Sequence, residues 1–422
     1  MLDKETNQLL TRVARGTQMG ELLRRYWWPV AATTELEERP TKPVRVLGED
    51  LVLYKDHCGN YGLLDRHCPH RGADLAYGYV EDCGIRCNYH GWLFEQSGRC
   101  LEQPYQDIAL PNSRIKAGIR ITAYKVVAQA GLLWAYLGPA PDPLLPNWEQ
   151  FTWPNGFVQI VFATLPCNWF QCQENSVDPV HFEWTHDNWS MRLRGVRGPY
   201  SPRHLKVAFE EFEYGLIYRR IREGQDESNQ LWTVGRVCLW PNAILASNHF
   251  QWRVPIDDGN TLSVHWFYTR VPKGREPYCQ ARIPYWFAEV TDASTGRLID
   301  SHVTNQDFVA FIGQGEIADR TRENLDQSDE GIVMMRKRFL DDLRVIASGG
   351  DPKAVIRDAE KNRCIRLPLI GREEVVEGID REELKRRVPG STAAGVGMGD
   401  FPWLAGQPAA IKDEFKQAMG WR

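Results

Sequence analysis

Cysteine is scarce in this chain, ten in 422 residues. That density excludes a disulfide-stapled scaffold and makes a reducing cytoplasm the expected setting. Charge of one sign is also missing. Lys and Arg total 51 against 55 Asp and Glu, a formal net charge of -4, so nothing points to nucleic acid or an anionic membrane as partner. No apolar run reaches the ~18 residues of a membrane span. The nearest, Val126 to Leu137, is short and broken by Gln129. The opening MLDKETNQLLTRV has no basic stretch leading into an apolar one, so no secretory leader is expected. No Gly-x-Gly-x-x-Gly follows a strand-like run, so the chain is not expected to hold a dinucleotide or a flavin. Internal repeats and low-complexity stretches are absent.

What remains is an ordinary globular composition, 43% hydrophobic and 25% charged, with enough length for one large domain or two. From Pro43 to Gly138 short strand-like runs (VRVLG, LVLYKD, NYGLLD, GWLFEQSG) alternate with turn residues at Gly48, Gly59-Asn60 and Ser97-Gly98. A small antiparallel β domain is expected there. The joint GPAPDPLLP, Gly138 to Pro146, marks a boundary. We therefore expect an N-terminal helical segment over 1–25, a β domain over 26–140 and a larger domain over 141–422. In the larger domain the pattern predicts a helical segment near 168–188 and strands at Leu216–Arg222, Leu231–Leu239 and Leu262–Val271. It also predicts a helix near 329–347 with Ser328 as its N-cap. The stretch from Gly349 onward, rich in Gly, Pro and charge, gives no clear pattern.

The strongest signal is CPHRG at Cys68–Gly72 followed by CNYHGW at Cys87–Trp92. Each half offers one thiolate and one imidazole, Cys68-x-His70 and Cys87-x-x-His90. Two Cys and two His can bind one [2Fe–2S] cluster, the histidines replacing two thiolates on one iron. Neutral imidazoles leave the cluster less negative and raise its potential, which suits a donor to an oxygen-activating site. Gly72 and Gly91 let each loop wrap closely, and Pro69 stiffens the first. The competing interpretation is structural zinc, but zinc knuckles pair Cys with Cys across two to four residues. His57, Cys58, His67 and Cys83 lie nearby, outside the paired spacing, and are read as structural.

About ninety residues on stands NWFQCQENSVDPVHFEWTH, Asn168 to His186, with the skeleton Asp178-x-x-His181-x-x-x-x-His186. Two His and one carboxylate on one face of Fe(II), with open positions left for O₂, form the facial triad of non-haem iron oxygenases. Residues five apart on a regular helix lie ~140° apart, since each turns about 100°. The helix must therefore end, or carry a π-type distortion, between His181 and His186. Asp178 and His181 are three apart and share a face. Alone, either His would read as a core or surface residue, and Asp178-Pro179 as an N-cap with proline at the first helical position. The carboxylate ligand must come from downstream. Asp300, Asp307, Asp319 and Asp326 all remain open by spacing.

With both motifs in place the chain resembles the oxygenase (α) component of Rieske non-haem iron ring-hydroxylating oxygenases, of the phthalate dioxygenase type. The likeness spans the opening NQLLTRVARGTQMGELLRRYWWPV, both motifs, the segment holding Gln306, Asp307, Gln314 and Gly315, and the ADR and SDEG stretches after it. It implies an α+β fold, with a small antiparallel β Rieske domain beside a larger catalytic domain whose antiparallel sheet is flanked by helices (helix-grip type). It implies that Cys68, His70, Cys87 and His90 hold the cluster and that His181, His186 and Asp307 hold Fe(II). Asp178 matches a bridging aspartate linking His90 of a neighbouring subunit to His181. A head-to-tail homotrimer without β subunit follows, fed by an NAD(P)H-dependent flavin and iron–sulfur reductase. Glu174-Asn175 departs from relatives, which often carry small residues after the Glu, and leaves a role for Asn175 open.

The expected activity is O₂-dependent hydroxylation, mono- or cis-di-, of an aromatic substrate, with oxidative O- or N-demethylation as the alternative. Arginines bind carboxylates bidentately. Arg192, Arg194, Arg197 and Arg203 crowd the loop after the iron histidines, and Arg236 sits in the strand-like WTVGRVCLW. Arg194 and Arg236 are thus the candidates for an aromatic carboxylate. Two rival classes are a non-catalytic Rieske electron carrier, which would not need His181, His186 and Asp307, and a colourless zinc-stabilised binding protein.

Overall fold

The computed structural model describes residues 2–112, 114–372, 375–376 and 401–421. Part of the closing stretch, 377–400, lies outside them. The chain forms two compact units. The smaller holds Val13–Pro143 with Val254–Asp257, and the larger holds Met1–Arg12, Leu144–Arg253 and Asp258–Arg422. Among the described residues no helix is long and apolar enough to cross a membrane.

The smaller unit is antiparallel throughout. Its strands are β1 (Trp27–Ala32), β2 (Thr41–Val46), β3 (Glu49–Lys55), β4 (Tyr61–Asp65), β5 (Tyr79–Glu81), β6 (Gly84–Arg86), β7 (Leu93–Phe94), β8 (Cys100–Glu102), β9 (Ala123–Gln129) and β10 (Leu132–Tyr136). They make a six-stranded sheet, order β1-β10-β9-β4-β3-β2, and a four-stranded sheet, order β5-β6-β7-β8. The Cys68–Gly72 loop leaves β4, and the Cys87–Gly91 loop joins β6 to β7. Cys68 and Cys87 belong to a core with Val52, Tyr54, Leu64, Ile85 and Phe94. Burying these two side chains fixes both loops to the sheets beneath them.

The larger unit is built on eight strands: β11 (Gly156–Leu165), β12 (His204–Phe212), β13 (Gly215–Arg222), β14 (Arg236–Leu239), β15 (Ala243–Ala246), β16 (His249–Pro255), β17 (Thr261–Arg270) and β18 (Tyr285–Phe287). Their order is β12-β13-β14-β15-β16-β17-β11-β18. The edge strand β18 runs parallel to β11, an exception to the expected antiparallel sheet. The helix Val303–Gly313 packs Phe308 and Phe311 into a core with Val161, Ala163, Phe267 and Trp286 from the sheet. That packing sets the rotation of the helix and so the direction of Asp307.

Two local expectations need correction. Leu231–Leu239 is not one strand. Asn229 accepts from Leu231 N, starting a short helix Gln230–Thr233, and Gly235 at φ +78° turns the chain into β14. The helix Glu330–Ala347 exists, but Asp326 rather than Ser328 caps its entry, through a capping box with Asp329 around the turn Gln327–Asp329. Gly331 of that helix is needed for close approach. A Cβ there would stand 2.8 Å from the carbonyl oxygen of Val177 and 2.5 Å from the Phe209 ring.

Candidate metal centres

The two cysteine loops are built alike. In the first, Gly72 N donates to Cys68 O (2.8 Å), and in the second Gly91 N donates to Cys87 O (3.0 Å). Both glycines sit at φ +73°, where a side chain is strained. Cys68 N donates to Ala73 O and Cys87 N to Trp92 O. The result is two matching turns that bury both thiols and expose both histidines. His70 and His90 meet edge to face, centroids 4.5 Å apart, and His70 stacks on Trp92 at 4.4 Å. Burial pushes the Cys68 thiol up to about 12, so its thiolate needs positive charge beside it. Burial, then the neighbouring His90, lowers His70 and keeps it a neutral imidazole. Two buried thiols on one side and two exposed, touching imidazoles on the other fit a cluster of two irons with unlike ligands.

Among the described residues, one set of three donors does close around a single point: His181, His186 and Asp307. His186 Nε2 lies 3.2 Å and His181 Nε2 3.6 Å from Asp307 Oδ1. The side chains of His181, His186 and Asp307 are only 12%, 8% and 13% exposed. Phe182–Asn188 is a π-helix. Its wider turn brings residues five apart over one another, which lets His181 and His186 face the same point. Burial drives His181 down to about 3, so it stays a neutral imidazole. Burial would raise Asp307, but His186 and then His181 outweigh it and hold the carboxyl below its usual range. Asp307 Oδ1 is buried without a hydrogen-bond partner. Burial would lower His186, but the Asp307 carboxylate outweighs it and raises the imidazole. A carboxylate oxygen between two imidazole nitrogens is a donor set that fits a divalent cation.

Ligating histidines usually donate their second N–H to a fixed acceptor. For His186 that acceptor is Gln306 Oε1, 3.2 Å from Nδ1. The Gln306 amide is itself held by donating to Ser190 Oγ (2.9 Å) and Asp300 O (3.1 Å). For His181 the neighbour is Asp178. One carboxylate oxygen of Asp178 accepts from Val180 N (2.9 Å) and His181 N (3.3 Å), while the other stands 3.8 Å from His181 Nδ1. Asp178 thus caps the segment with one oxygen and faces the imidazole with the other.

The residues leading into this segment are tied to the late motifs. Gln171 Nε2 donates to Phe311 O and Gly315 O, and its Oε1 accepts from Ala318 N. Glu174 is buried between Arg320 (2.6 Å) and Arg336 (2.7 Å), and Arg336 also pairs with Glu323. These contacts explain why the Gln314-Gly315 and Ala318-Asp319-Arg320 stretches accompany the histidines. Asp300 contributes its backbone carbonyl to Gln306, while Asp319 and Asp326 cap local turns. None of the three joins the histidines.

The arginines divide. Arg203 pairs with Glu223 on the surface, Arg192 lies over Tyr200, and exposed Arg194 donates to Ser190 O. Arg236 lies over the Phe182 ring at 4.7 Å. Arg220, which sequence reasoning missed, lies over the same ring at 4.4 Å and is buried. Tyr218 and Arg236 are directly paired across β13 and β14. Arg220, two residues on, therefore projects from the same face. Phe182 in turn touches both His181 and His186. Burial lowers Arg220 to about 10, which still leaves it charged at neutral pH. Neither arginine has a carboxylate partner among the described residues.

A model of the Rieske [2Fe-2S] domain matches residues 26–115. The 5,5'-dehydrodivanillate O-demethylase oxygenase subunit of Sphingobium sp. (strain NBRC 103272 / SYK-6) is 60% identical over 419 residues, covering 99% of this chain and 97% of that protein. The phthalate 4,5-dioxygenase oxygenase subunit of Pseudomonas putida is 30% identical, covering 83% and 88%. In fold the chain is similar to NdmA of Pseudomonas putida CBB5, with a TM-score of 0.56 at 21% identity over 79% of this chain and 94% of that one.

Proposed function

Because the chain belongs to the Rieske non-haem iron oxygenases, as their terminal oxygenase component, we propose that it removes a methyl group oxidatively from a methoxy-substituted aromatic carboxylate. Its cofactors are a [2Fe–2S] cluster and a mononuclear iron, and it works with a reductase or ferredoxin. When bound, the two centres supply electrons and the activation of O₂. Cys68, His70, Cys87 and His90 hold the cluster, and His181, His186 and Asp307 hold the iron. Gln306 fixes the tautomer of His186 by accepting its Nδ1 proton. Asp178 orients His181 and, in a homotrimer without β subunit, takes a second hydrogen bond from His90 of a neighbouring subunit.

The observation that carries the substrate class is the pair of arginines on Phe182. Both guanidinium groups lie over the ring that touches both candidate iron histidines, and neither is ion-paired to a carboxylate among the described residues. A substrate carboxylate supplies the missing charge and accepts bidentately. Arg236 and Arg220 are therefore assigned to it rather than Arg194, which stands in solvent. The 60% identical O-demethylase supports a methyl ether as the reacting group. The balance is Ar–O–CH₃ + O₂ + two electrons + two protons giving Ar–OH, formaldehyde and water. A methyl C–H is hydroxylated, and the resulting hemiacetal breaks its C–O bond to release formaldehyde.

The test is turnover of a vanillate-type biaryl with NADH and a flavin and iron–sulfur reductase. Formaldehyde should appear in step with O₂ consumed. A cis-dihydrodiol without formaldehyde would replace demethylation by ring hydroxylation. NADH oxidation by this chain alone, coupled to product, would refute the need for a reductase.

A further inference from the structure

The π-helix that starts directly after His181 and contains His186 is held from outside by a buried polar chain. Glu183 lies between those histidines in sequence and is buried, 5% exposed. Its Oε2 accepts twice from His204, from the backbone N (2.8 Å) and from ring Nδ1 (3.0 Å). His204 Nε2 faces Arg220 Nη1 at 3.4 Å. Arginine can only donate, so Nε2 must accept and Nδ1 must carry the proton that goes to Glu183. The two contacts therefore fix one neutral tautomer of His204. The same Arg220 nitrogen donates to Pro179 O at 3.2 Å, and its guanidinium covers Phe182. Residues 179, 182 and 183 are thus all gripped by one chain running Glu183, His204, Arg220.

A second clasp acts on the same turn. π-helices are rare and occur mostly as single turns, often at functional sites. Here Glu183 O accepts from Asn188 Nδ2 (2.8 Å) and Ser201 Oγ (3.3 Å), and Ser201 N donates to Asn188 Oδ1 (2.9 Å). These bonds tie the backbone of the π-helix at Glu183 to Asn188 and Ser201.

We infer that Glu183, His204 and Arg220 form a positioning relay that holds the π-turn in the one register at which His181 and His186 face a single ion. The inference rests on the iron assignment above. The relay touches neither the ion nor the substrate's reacting atoms through Glu183 or His204; it acts by keeping two imidazoles convergent. Without it, the segment can relax toward α-helical spacing, which would swing His186 away from His181.

The experiment compares wild type with His204→Phe, which keeps ring shape and burial but removes donor and acceptor, and with His204→Asn, which keeps a donor to Glu183 and loses the acceptor for Arg220. After chelator removal of the mononuclear iron, Fe(II) affinity is titrated against a ferrous indicator. The EPR signal of the nitric oxide adduct reports ligand geometry, and the reduced-cluster EPR and thermal midpoint report folding. His204→Phe should weaken Fe(II) binding about 10- to 100-fold, as partner mutations around metal ligands do, and alter the nitrosyl signal with the cluster signal intact. His204→Asn should fall between. Affinity within threefold of wild type and an unchanged nitrosyl signal in both variants would overturn the relay. If His204→Phe does not fold, the His204→Asn result decides alone by the same criteria. Should His181→Ala or Asp307→Ala retain the mononuclear iron, the iron assignment itself fails, independently of the relay.

Discussion

The histidines of the two candidate metal sites are presented in opposite ways. His70 and His90 stand exposed at the ends of two short loops, while their cysteine partners are buried in the core beneath. His181 and His186 are enclosed, and the acid that meets them comes from a helix more than a hundred residues away in sequence. The difference follows the chemistry each must do. A cluster that passes electrons needs a ligand edge that another molecule can approach. A site that activates O₂ needs its ligands fixed and water kept out. The loops are specified locally, by a glycine in the left-handed region and two backbone hydrogen bonds each. The enclosed site is specified by tertiary contacts, and so it should be the easier to damage from a distance.

Glu174→Ala should show that asymmetry most strongly. It leaves Arg320 and Arg336 buried with their shared acid gone, at a cost of about 3–5 kcal/mol. Chemical denaturation should show that loss, with mononuclear iron diminished and the reduced-cluster EPR signal unchanged.

Asp178→Asn separates the two oxygens of one side chain. Asn caps about as well as Asp, so the segment and both metals should survive. The amide nitrogen, however, would meet His181 Nδ1–H donor to donor. We expect cluster oxidation to slow ten- to a hundredfold, about 1.4–2.7 kcal/mol, in single-turnover stopped flow. Wild-type rates would leave capping as its whole role.

Gly72→Ala is the smallest of the three, and it acts on the loops alone. No atom lies within 4 Å of the added Cβ, so the cost is the left-handed backbone itself, about 1–2 kcal/mol. Thermal melting should detect it, with Fe(II) affinity unaltered.

The same asymmetry explains what could be read from the sequence. The candidate quartet stood out because Cys-x-His and Cys-x-x-His are local patterns with their own glycines. A break in the regular helix between the two histidines was legible too, as either an end or a π-type distortion, because a five-residue His spacing is incompatible with a regular helix on one face; the structure has the π-helix. Asp307 was not separable by spacing from Asp300, Asp319 or Asp326; only resemblance chose it. Gln306 stood in a quoted motif, and the rule that a ligating His needs a fixed acceptor could have flagged it. Arg220, Glu183 and His204 left no signal, since each is defined by partners from other elements. The parallel edge strand β18 and the helix at Gln230–Thr233 were hidden for the same reason: three or four residues carry too little periodicity to declare their neighbours.

The most direct measurement of the account is the ratio of iron to acid-labile sulfide in wild type and Asp307→Ala. Two irons in the cluster and one outside it give a ratio of about 3:2, and losing the outside iron gives about 1:1. The account predicts that fall, with the cluster's visible spectrum intact. A variant that keeps the wild-type ratio, or one that loses sulfide along with iron, would contradict two separately built metal centres.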